Sequence, residues 1–194
     1  MSESRANPTL NVLGVAGSLR AGSFNRGLLR AAEELAPAGM QIRSFELRGI
    51  PLYDGDVEAQ GDPEPVREWK HAIAEADALL IATPEYNFGV PGVLKNAIDW
   101  ASRPPGRSVL NGKPAAVMGA TPGMTGTARA QLQLRQAFVF TQTLALLYPE
   151  VLVARAHEKF DAEGRLADET TRGLVRALLE GLAAWTQRLR PPPG

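Results

Sequence analysis

The stretch LNVLGVAGSLRAGSFN, residues 10–25, decides the fold of this chain. Its first seven residues are rich in branched apolar side chains, which is typical of a strand buried on both faces of a sheet. A glycine and a serine close the strand, and apolar residues then recur at helical spacing over residues 25–36 until Pro37 ends the pattern. A buried strand, a tight turn and a helix in this order indicate the first unit of an α/β protein.

The same alternation continues along the chain. Further strands are predicted at residues 41–47, 78–83, 113–119 and 151–154. Further helices are predicted at residues 64–75, 90–101, 128–146 and 170–190, and a long loop at residues 49–65. Five strands that alternate with helices predict a flavodoxin-like, doubly wound, five-stranded parallel sheet with helices on both faces. We expect one domain over residues 1–194, with flexible ends at 1–8 and 191–194.

The composition excludes several classes of function. The chain has 21 basic and 21 acidic residues, so it has no net charge that would attract nucleic acid or an acidic membrane surface. It has no cysteine, which excludes disulfides, thiolate metal sites and iron–sulfur clusters. We recognise no secretory signal and no membrane-spanning apolar run, and therefore predict a soluble, cytoplasmic protein without nucleic-acid or membrane partners. Redox chemistry would need a bound cofactor.

In a doubly wound sheet, the loops after the first, third and fourth strands meet at one edge, where ligands bind. The first loop is GSLRAGSFN, residues 17–25. Its small residues let backbone N–H groups approach an anion, and Arg20 adds a positive charge at a helix start, which predicts a site for a terminal phosphate. The P-loop pattern GxxxxGK[ST] and the pyrophosphate-binding pattern GxGxxG are both missing after the first strand, which argues against these two kinds of phosphate site. The alternative is a plain turn in which Ser23 or Asn25 caps the helix.

The second loop is TPEYNFGVPG, residues 83–92. A flavin ring is flat and polar only at its rim, so it needs backbone donors and acceptors at its edge and apolar or aromatic walls. Glu85, Tyr86, Asn87 and Phe88 offer these groups. The alternative is partial core packing for the two aromatic residues and turn or capping roles for the other two. In the third loop, residues 120–127, Thr121 offers a hydroxyl, with a plain glycine-rich turn as the alternative.

Together these segments resemble the NADPH-dependent FMN reductase family, particularly its bacterial members described as quinone, chromate or azo-dye reductases. GSLRAGSFN is similar to the family's phosphate loop, and TPEYNFGVPGVLKNAIDWASR, residues 83–103, is similar to its PEYN segment and the following helix. IPLYDGDV, residues 50–57, resembles the loop after the second strand. The resemblance covers residues 10–190 and implies an oxidoreductase that binds FMN and uses NADPH or NADH as electron donor.

The resemblance also implies roles for individual residues. The residues expected to hold the phosphate and ribityl end of FMN are Ser18, Arg20, Ser23, Phe24 and Asn25. The residues expected to border the isoalloxazine ring are Glu85, Tyr86, Asn87 and Phe88, with Thr121 at a position where the family often has a serine that contacts the cofactor. The family forms homodimers or homotetramers, for which Trp100 and Arg129 are candidate contacts. A buried tryptophan and a solvated arginine are the alternative interpretations.

The implied reaction is ping-pong transfer of electrons to a small acceptor, with a quinone as the first choice and azo compounds, chromate or free flavin as others. Positioning of the flavin by backbone groups would suffice for this electron transfer, so no catalytic side chain is predicted. His71 and His157 lie outside the three loops, and Asp54 with Asp56 fits a solvated turn, so no metal is predicted. The alternative functions are a flavodoxin-type electron carrier, although such carriers are usually strongly acidic, and a flavin-free scaffold domain.

Overall fold

The structure is a computed structural model that describes residues 9–190. The ends for which flexibility is predicted, 1–8 and 191–194, lie outside the described residues. The strands are β1 (Leu10–Ala16), β2 (Met40–Phe45), β3 (Ala78–Ala82), β4 (Pro114–Ala120), β5 (Leu144–Ala145) and β6 (Val151–Val153). They form one parallel sheet in the order β2-β1-β3-β4-β5, and β6 also pairs with β4. The predicted flavodoxin-like parallel sheet is confirmed.

The last position in the sheet differs from the prediction because two short strands share it. β5 pairs with the start of β4, at Pro114 and Ala115, and β6 pairs with its end, from Met118 onward. The predicted helix over residues 128–146 is therefore wrong beyond Thr141. Gln142 takes a left-handed conformation with φ 55°, and its carbonyl accepts a hydrogen bond from the Gly112 N–H. The apolar pattern continues past this point, so only pairing with β4 separates strand from helix.

The helices cover both faces of the sheet, as predicted. They are α1 (Phe24–Glu34), α2 (Gly55–Ala59), α3 (Glu64–Glu75), α4 (Gly92–Ala101), α5 (Ala128–Thr141) and α6 (Glu169–Leu189), with one 3-10 turn at Ala156–Glu158. α1 and α6 pack on one face of the sheet, while α3, α4 and α5 pack on the other. No helix within residues 9–190 is both long and apolar enough to span a bilayer.

The central strands show why the sheet buries both faces. Neighbouring residues in a strand point to opposite sides, so Leu79 joins the core under α3, α4 and α5, while Leu80 joins the core under α1 and α6. β2 is an edge strand, and most of its side chains are partly or fully exposed. The short helix α2 lies inside the predicted long loop, where the Asp54 side chain accepts a hydrogen bond from the Asp56 N–H at 2.8 Å. That local cap starts a helix too short to give a periodic signal.

Candidate functional site

The carboxyl ends of β1, β3 and β4 lie side by side and send three loops to one edge of the sheet. The Gly17 N–H donates to the carbonyl of Ala82 at 2.8 Å, and the Thr83 N–H donates to the carbonyl of Met118 at 2.9 Å. These hydrogen bonds continue the ladder just beyond the strand ends. The three loops singled out by sequence therefore start from neighbouring points, as the doubly wound topology requires.

The loop after β1 begins α1 with a serine cap. Ser23 Oγ accepts a hydrogen bond from the Asn25 N–H at 3.2 Å, which is the capping role that the sequence left open. Ser18 is buried, and its Oγ accepts a weak hydrogen bond from the Arg20 N–H at 3.4 Å. The Arg20 side chain is exposed and forms no ion pair with any residue in the described range. The loop thus offers one free cation beside the positive end of a helix.

The backbone of this loop fits a phosphate group. Within residues 9–190, the N–H groups of Leu19, Ala21, Gly22 and Phe24 have no protein acceptor. A Cβ added at Gly22 would meet no atom within 4 Å, so the backbone there is open to an approaching ligand. Several unfilled donors, a helix N-terminus and a guanidinium together match a phosphate dianion without a metal ion.

Phe24 and Asn25, which follow the loop, point into the protein. The Phe24 ring lies 5.2 Å from the Phe160 ring, centroid to centroid. The buried Asn25 side chain donates from Nδ2 to the Ala120 carbonyl at 2.8 Å and accepts at Oδ1 from the Ala120 N–H at 2.9 Å. Asn25 therefore ties α1 to the end of β4, where the third loop begins, and direct contact with a ligand stays a prediction for both residues.

The loop after β3 contains a tight hairpin turn. Tyr86 and Gly89 exchange two backbone hydrogen bonds, 3.1 and 2.9 Å long. The two residues between them have positive φ, 49° at Asn87 and 64° at Phe88, as in a type I′ turn. Both aromatic side chains are exposed, Tyr86 by 52% and Phe88 by 72%. The alternative of core packing for these aromatics is therefore wrong, because the turn lifts them off the sheet.

Tyr86 links the second loop to the first. Its hydroxyl lies 3.3 Å from Ser18 Oγ, which is a weak hydrogen bond between the loop after β3 and the loop after β1. The contact places a phenol beside the loop that fits a phosphate. The structure thus brings together Ser18, Arg20 and Tyr86, three of the residues that the sequence assigns to one site.

Glu85 points toward α5. Its Oε2 accepts from the backbone N–H groups of Arg129 at 2.9 Å and Ala130 at 3.2 Å, and its side chain is only 7% exposed. The carboxylate therefore caps the positive end of α5, which is the capping role that the sequence left open. Contact of Glu85 with a flavin ring stays a prediction.

Two residues of α5 belong to the site and were not assigned to it by sequence. The Arg129 guanidinium lies 3.3 Å from Glu85 Oε1 and 4.1 Å from the centre of the Phe88 ring. Gln133, one turn later, accepts a hydrogen bond at Oε1 from the Val90 N–H at 2.6 Å. From the sequence, Arg129 is only a candidate subunit contact or a solvated cation. The sequence did carry a signal, since both residues lie in the first turns of the helix that follows the third loop.

The third loop is hydrogen-bonded to the end of β6. The Thr121 N–H donates to the Val153 carbonyl at 3.0 Å, and the Thr121 Oγ1 accepts from the Gly123 N–H at 3.2 Å. The start of α5 is packed as tightly, because a Cβ on Gly119 would collide with the Thr127 hydroxyl. Thr121 thus shapes a turn, as the alternative interpretation proposed, and its contact with a cofactor stays a prediction.

The loop after β2 is held against α4 by hydrogen bonds. Trp100 is buried and donates from Nε1 to the Pro51 carbonyl at 2.9 Å. Contacts within one chain therefore account for its burial, as the alternative to a subunit contact stated. Glu58 accepts from the Tyr53 hydroxyl at 2.7 Å and from Arg103 Nε at 2.8 Å. These two hydrogen bonds hold the pKa of Glu58 below its usual range, while the bond to Glu58 raises the pKa of Tyr53.

Within the described part of the chain, no three acidic or histidine side chains gather as a metal site.

Comparison with known proteins places this architecture among flavoenzymes. The sequence profile of the NADPH-dependent FMN reductase family matches residues 10–158. An NAD(P)H-dependent FMN reductase of Pseudomonas aeruginosa is 51% identical over 93% of this chain and 97% of its own length. A 2-hydroxy-1,4-benzoquinone reductase of a Burkholderia species is 42% identical over 93% of this chain and 98% of its own. The structure of FerB, a flavoenzyme NAD(P)H:(acceptor) oxidoreductase of Paracoccus denitrificans, superposes with a TM-score of 0.85 at 35% identity, covering 93% and 98% of the two chains.

Proposed function

This chain belongs to the NADPH-dependent FMN reductase family, and from this premise we propose that it acts as a single-domain, FMN-dependent NAD(P)H:quinone reductase. The observation that carries the proposal is the meeting of two loops at the sheet edge, where Ser18 and Tyr86 lie 3.3 Å apart beside unfilled backbone donors. One loop offers the groups that a phosphate needs, and the other offers exposed aromatic walls.

In this proposal, the loop after β1 holds the phosphate and ribityl end of FMN. Arg20, Ser18 and the free N–H groups of Leu19, Ala21 and Gly22 neutralise and fix the phosphate. Ser23 caps the helix behind it and Phe24 contributes its unfilled N–H. Asn25 keeps the loop at the correct distance from the end of β4, since its side-chain amide donates one hydrogen bond to the Ala120 backbone and accepts another from it.

The loop after β3 borders the flavin ring in the same proposal. Tyr86, Asn87 and Phe88 supply the walls and backbone groups, Glu85 fixes the loop on α5, and Thr121 lies on the adjacent loop. FMN, when bound, supplies a ring that takes up electrons from reduced nicotinamide and passes them on. The protein's own contribution is to bind, to orient and to limit access, so we assign no acid or base.

We further propose a ping-pong order, in which the oxidised nicotinamide leaves before the acceptor enters. The exposed Phe88 and Tyr86 leave one open face for both partners. A quinone is the proposed acceptor because the Burkholderia relative above is a 2-hydroxy-1,4-benzoquinone reductase, and the chain spans nearly its whole length. Azo compounds, chromate and free flavin are further candidate acceptors. We also propose a cytoplasmic location, because NAD(P)H is produced inside cells.

Self-association completes the proposal. One face of α5 exposes the large apolar side chains Leu132, Val139 and Phe140, by 64%, 80% and 85%. Val139 follows Leu132 by about two helical turns and Phe140 is the next residue, and large apolar side chains so exposed favour burial against a partner. We propose that a second copy of the chain covers this face, giving a homodimer or, with a second interface, a homotetramer.

The test is spectroscopic and anaerobic. The purified chain is reconstituted with FMN, freed of excess flavin and mixed with NADPH or NADH, while the flavin absorbance is followed, and a quinone is then added. We expect rapid bleaching by the nicotinamide and recovery on addition of the quinone. Bound FMN that NAD(P)H reduces only very slowly would instead favour the flavodoxin-type carrier, and a failure to bind FMN would refute both functions.

A further inference from the structure

The turn after β3 has a conformation that its own sequence does not favour. Asn87 and Phe88 both have positive φ, and asparagine adopts this region more readily than a phenylalanine does. A type I′ turn normally has glycine at the position of Phe88. The Phe88 side chain is 72% exposed, so packing in the core does not hold it in place. Something outside the turn must therefore maintain its shape.

The first two turns of α5 supply that support at three points. The Glu85 carboxylate, at the start of the turn, accepts from the backbone N–H groups of Arg129 and Ala130. The Arg129 guanidinium pairs with Glu85 and lies 4.1 Å from the centre of the Phe88 ring. After the turn, the Val90 N–H donates to Gln133 Oε1 at 2.6 Å.

Of these supports, only Arg129 contacts the strained part of the turn. Its planar guanidinium can stack on a ring and pair with a carboxylate at the same time, which a lysine ammonium cannot do in the same geometry. The two backbone hydrogen bonds to Glu85 would persist without the arginine side chain. Loss of that side chain is therefore expected to loosen the turn without unfolding α5.

The shape of the turn decides where Tyr86 lies. The Tyr86 hydroxyl reaches Ser18 Oγ at 3.3 Å, which connects the turn with the loop after β1. We propose that Arg129 is a positioning residue, which pairs with Glu85 and stacks on Phe88 so that the Tyr86–Gly89 turn keeps Tyr86 against the loop after β1. The consequence for FMN affinity rests on the proposed function, whereas the effect on the turn itself does not.

Hydrogen exchange of the flavin-free chain tests the effect on the turn. In Arg129→Gln we expect the amides of Tyr86, Gly89 and Val90 to exchange about tenfold faster, with the thermal midpoint unchanged, because the stack and the ion pair are lost together. Arg129→Lys keeps the charge and is expected to recover only part of the protection. Arg188→Gln is the matched control, because Arg188 is exposed on α6 and has no ion pair with residues 9–190.

The same variants are then titrated with FMN and followed by flavin fluorescence. We expect Arg129→Gln to bind FMN about tenfold more weakly than the parent chain, with Arg129→Lys in between and Arg188→Gln unchanged. Unaltered exchange in the turn, or a general loss of protection with a lower thermal midpoint, would overturn the positioning role. If the parent chain binds no FMN, the proposed function fails, while the exchange result still decides the role of Arg129.

A second pair of variants checks the support after the turn. Gln133→Ala removes the acceptor of the Val90 N–H, whereas Gln136 lies on the same helix, is exposed and makes no side-chain hydrogen bond within residues 9–190. We expect faster exchange at Val90 in Gln133→Ala and no change in Gln136→Ala. Equal behaviour of the two variants would show that α5 does not hold the turn through these contacts.

Discussion

Asn25 and Ala120 form a closed pair of hydrogen bonds, with the Asn25 amide donating at 2.8 Å and accepting at 2.9 Å from the backbone of Ala120. The two residues are 95 positions apart in the chain, and both are buried. Their pairing fixes the start of α1 against the end of β4, and so fixes two of the three loops that form the site.

Asn25→Ala is expected to cost about 1–3 kcal/mol in the free energy of unfolding, because two buried hydrogen bonds are lost together. Urea unfolding measures the loss. Asn96→Ala is the matched control, since the half-buried Asn96 bridges Tyr53 and Pro51 by two hydrogen bonds that are exposed to solvent, where water replaces them. An Asn25 variant that loses FMN affinity while its stability is unchanged would instead indicate direct contact with the ligand.

Arg20→Ala is expected to weaken FMN binding by about 1.5–3 kcal/mol, the contribution of a hydrogen bond to a charged group. Its guanidinium is exposed and unpaired within residues 9–190, so the fold should not change. Titration of the flavin-free chain with FMN and with riboflavin measures the effect. Riboflavin lacks the phosphate, so its affinity should not respond to the substitution, and a similar loss for both flavins would contradict the phosphate assignment.

Gly119→Ala is expected to destabilise the chain by about 1–3 kcal/mol, because the core at this point has no room. The added Cβ would collide with the Thr127 hydroxyl and lie 2.5 Å from the Thr83 carbonyl oxygen. Gly22→Ala serves as the comparison, as its Cβ would meet nothing within 4 Å. Thermal unfolding of the two flavin-free variants should differ clearly, and equal midpoints would show that the end of β4 can relax.

Asp168→Ala is expected to cost about 1 kcal/mol at pH 7, the typical value of a helix N-cap. The Asp168 carboxylate accepts from the Thr171 hydroxyl at 2.5 Å and from the Thr171 N–H at 2.7 Å, and these bonds lower the pKa of Asp168. Because the folded pKa lies below the unfolded one, the added stability is present above the unfolded pKa of about 3.9 and disappears as pH falls through the folded pKa.

Unfolding measured between pH 7 and pH 3 checks this dependence on Asp168. The gap between the parent chain and Asp168→Ala should narrow in acid, whereas Asp168→Asn, whose amide oxygen still accepts the cap, should show a smaller and less pH-dependent loss. A gap that stays constant down to pH 3 would mean that the charge of the carboxylate does not matter.

Phe140→Glu is expected to shift the chain toward monomers at micromolar concentration, because the substitution puts a charge into the exposed apolar face of α5. Sedimentation velocity measures the shift. Gln187→Glu adds the same charge at an exposed position of α6 and should leave the assembly unchanged. A parent chain that sediments as a monomer would contradict the proposed association through this face.

Much of this protein follows from local sequence. The buried run at residues 10–16 and the alternation of strands and helices after it predict the parallel sheet and the edge where its loops meet. Strand and helix periodicities differ, and a parallel sheet needs crossovers, so these elements restrict the topology to few choices. Loop composition also predicts a phosphate site after β1 and a flavin border after β3, and both assignments stay predictions.

Other features depended on contacts between distant residues. The helix predicted through residue 146 ends at Thr141 because Leu144 and Ala145 pair with β4, and no local signal reports that pairing. Glu85 was expected beside a flavin ring, which stays a prediction, and the structure shows in addition that its carboxylate caps α5. A carboxylate has several energetically similar partners, and only the folded chain shows which of them lies within reach.

The sequence by itself determined the alternation of the main strands and helices and the three loops that meet at one sheet edge, because periodicity and turn composition act over a few residues. The tertiary structure alone decided that Arg129 and Gln133 support the turn at Tyr86, and that Asn25 joins the first loop to the third. Such contacts span more than forty positions along the chain, as in the pair Glu85 and Arg129, 44 apart. They form only when the sheet has brought the loops together.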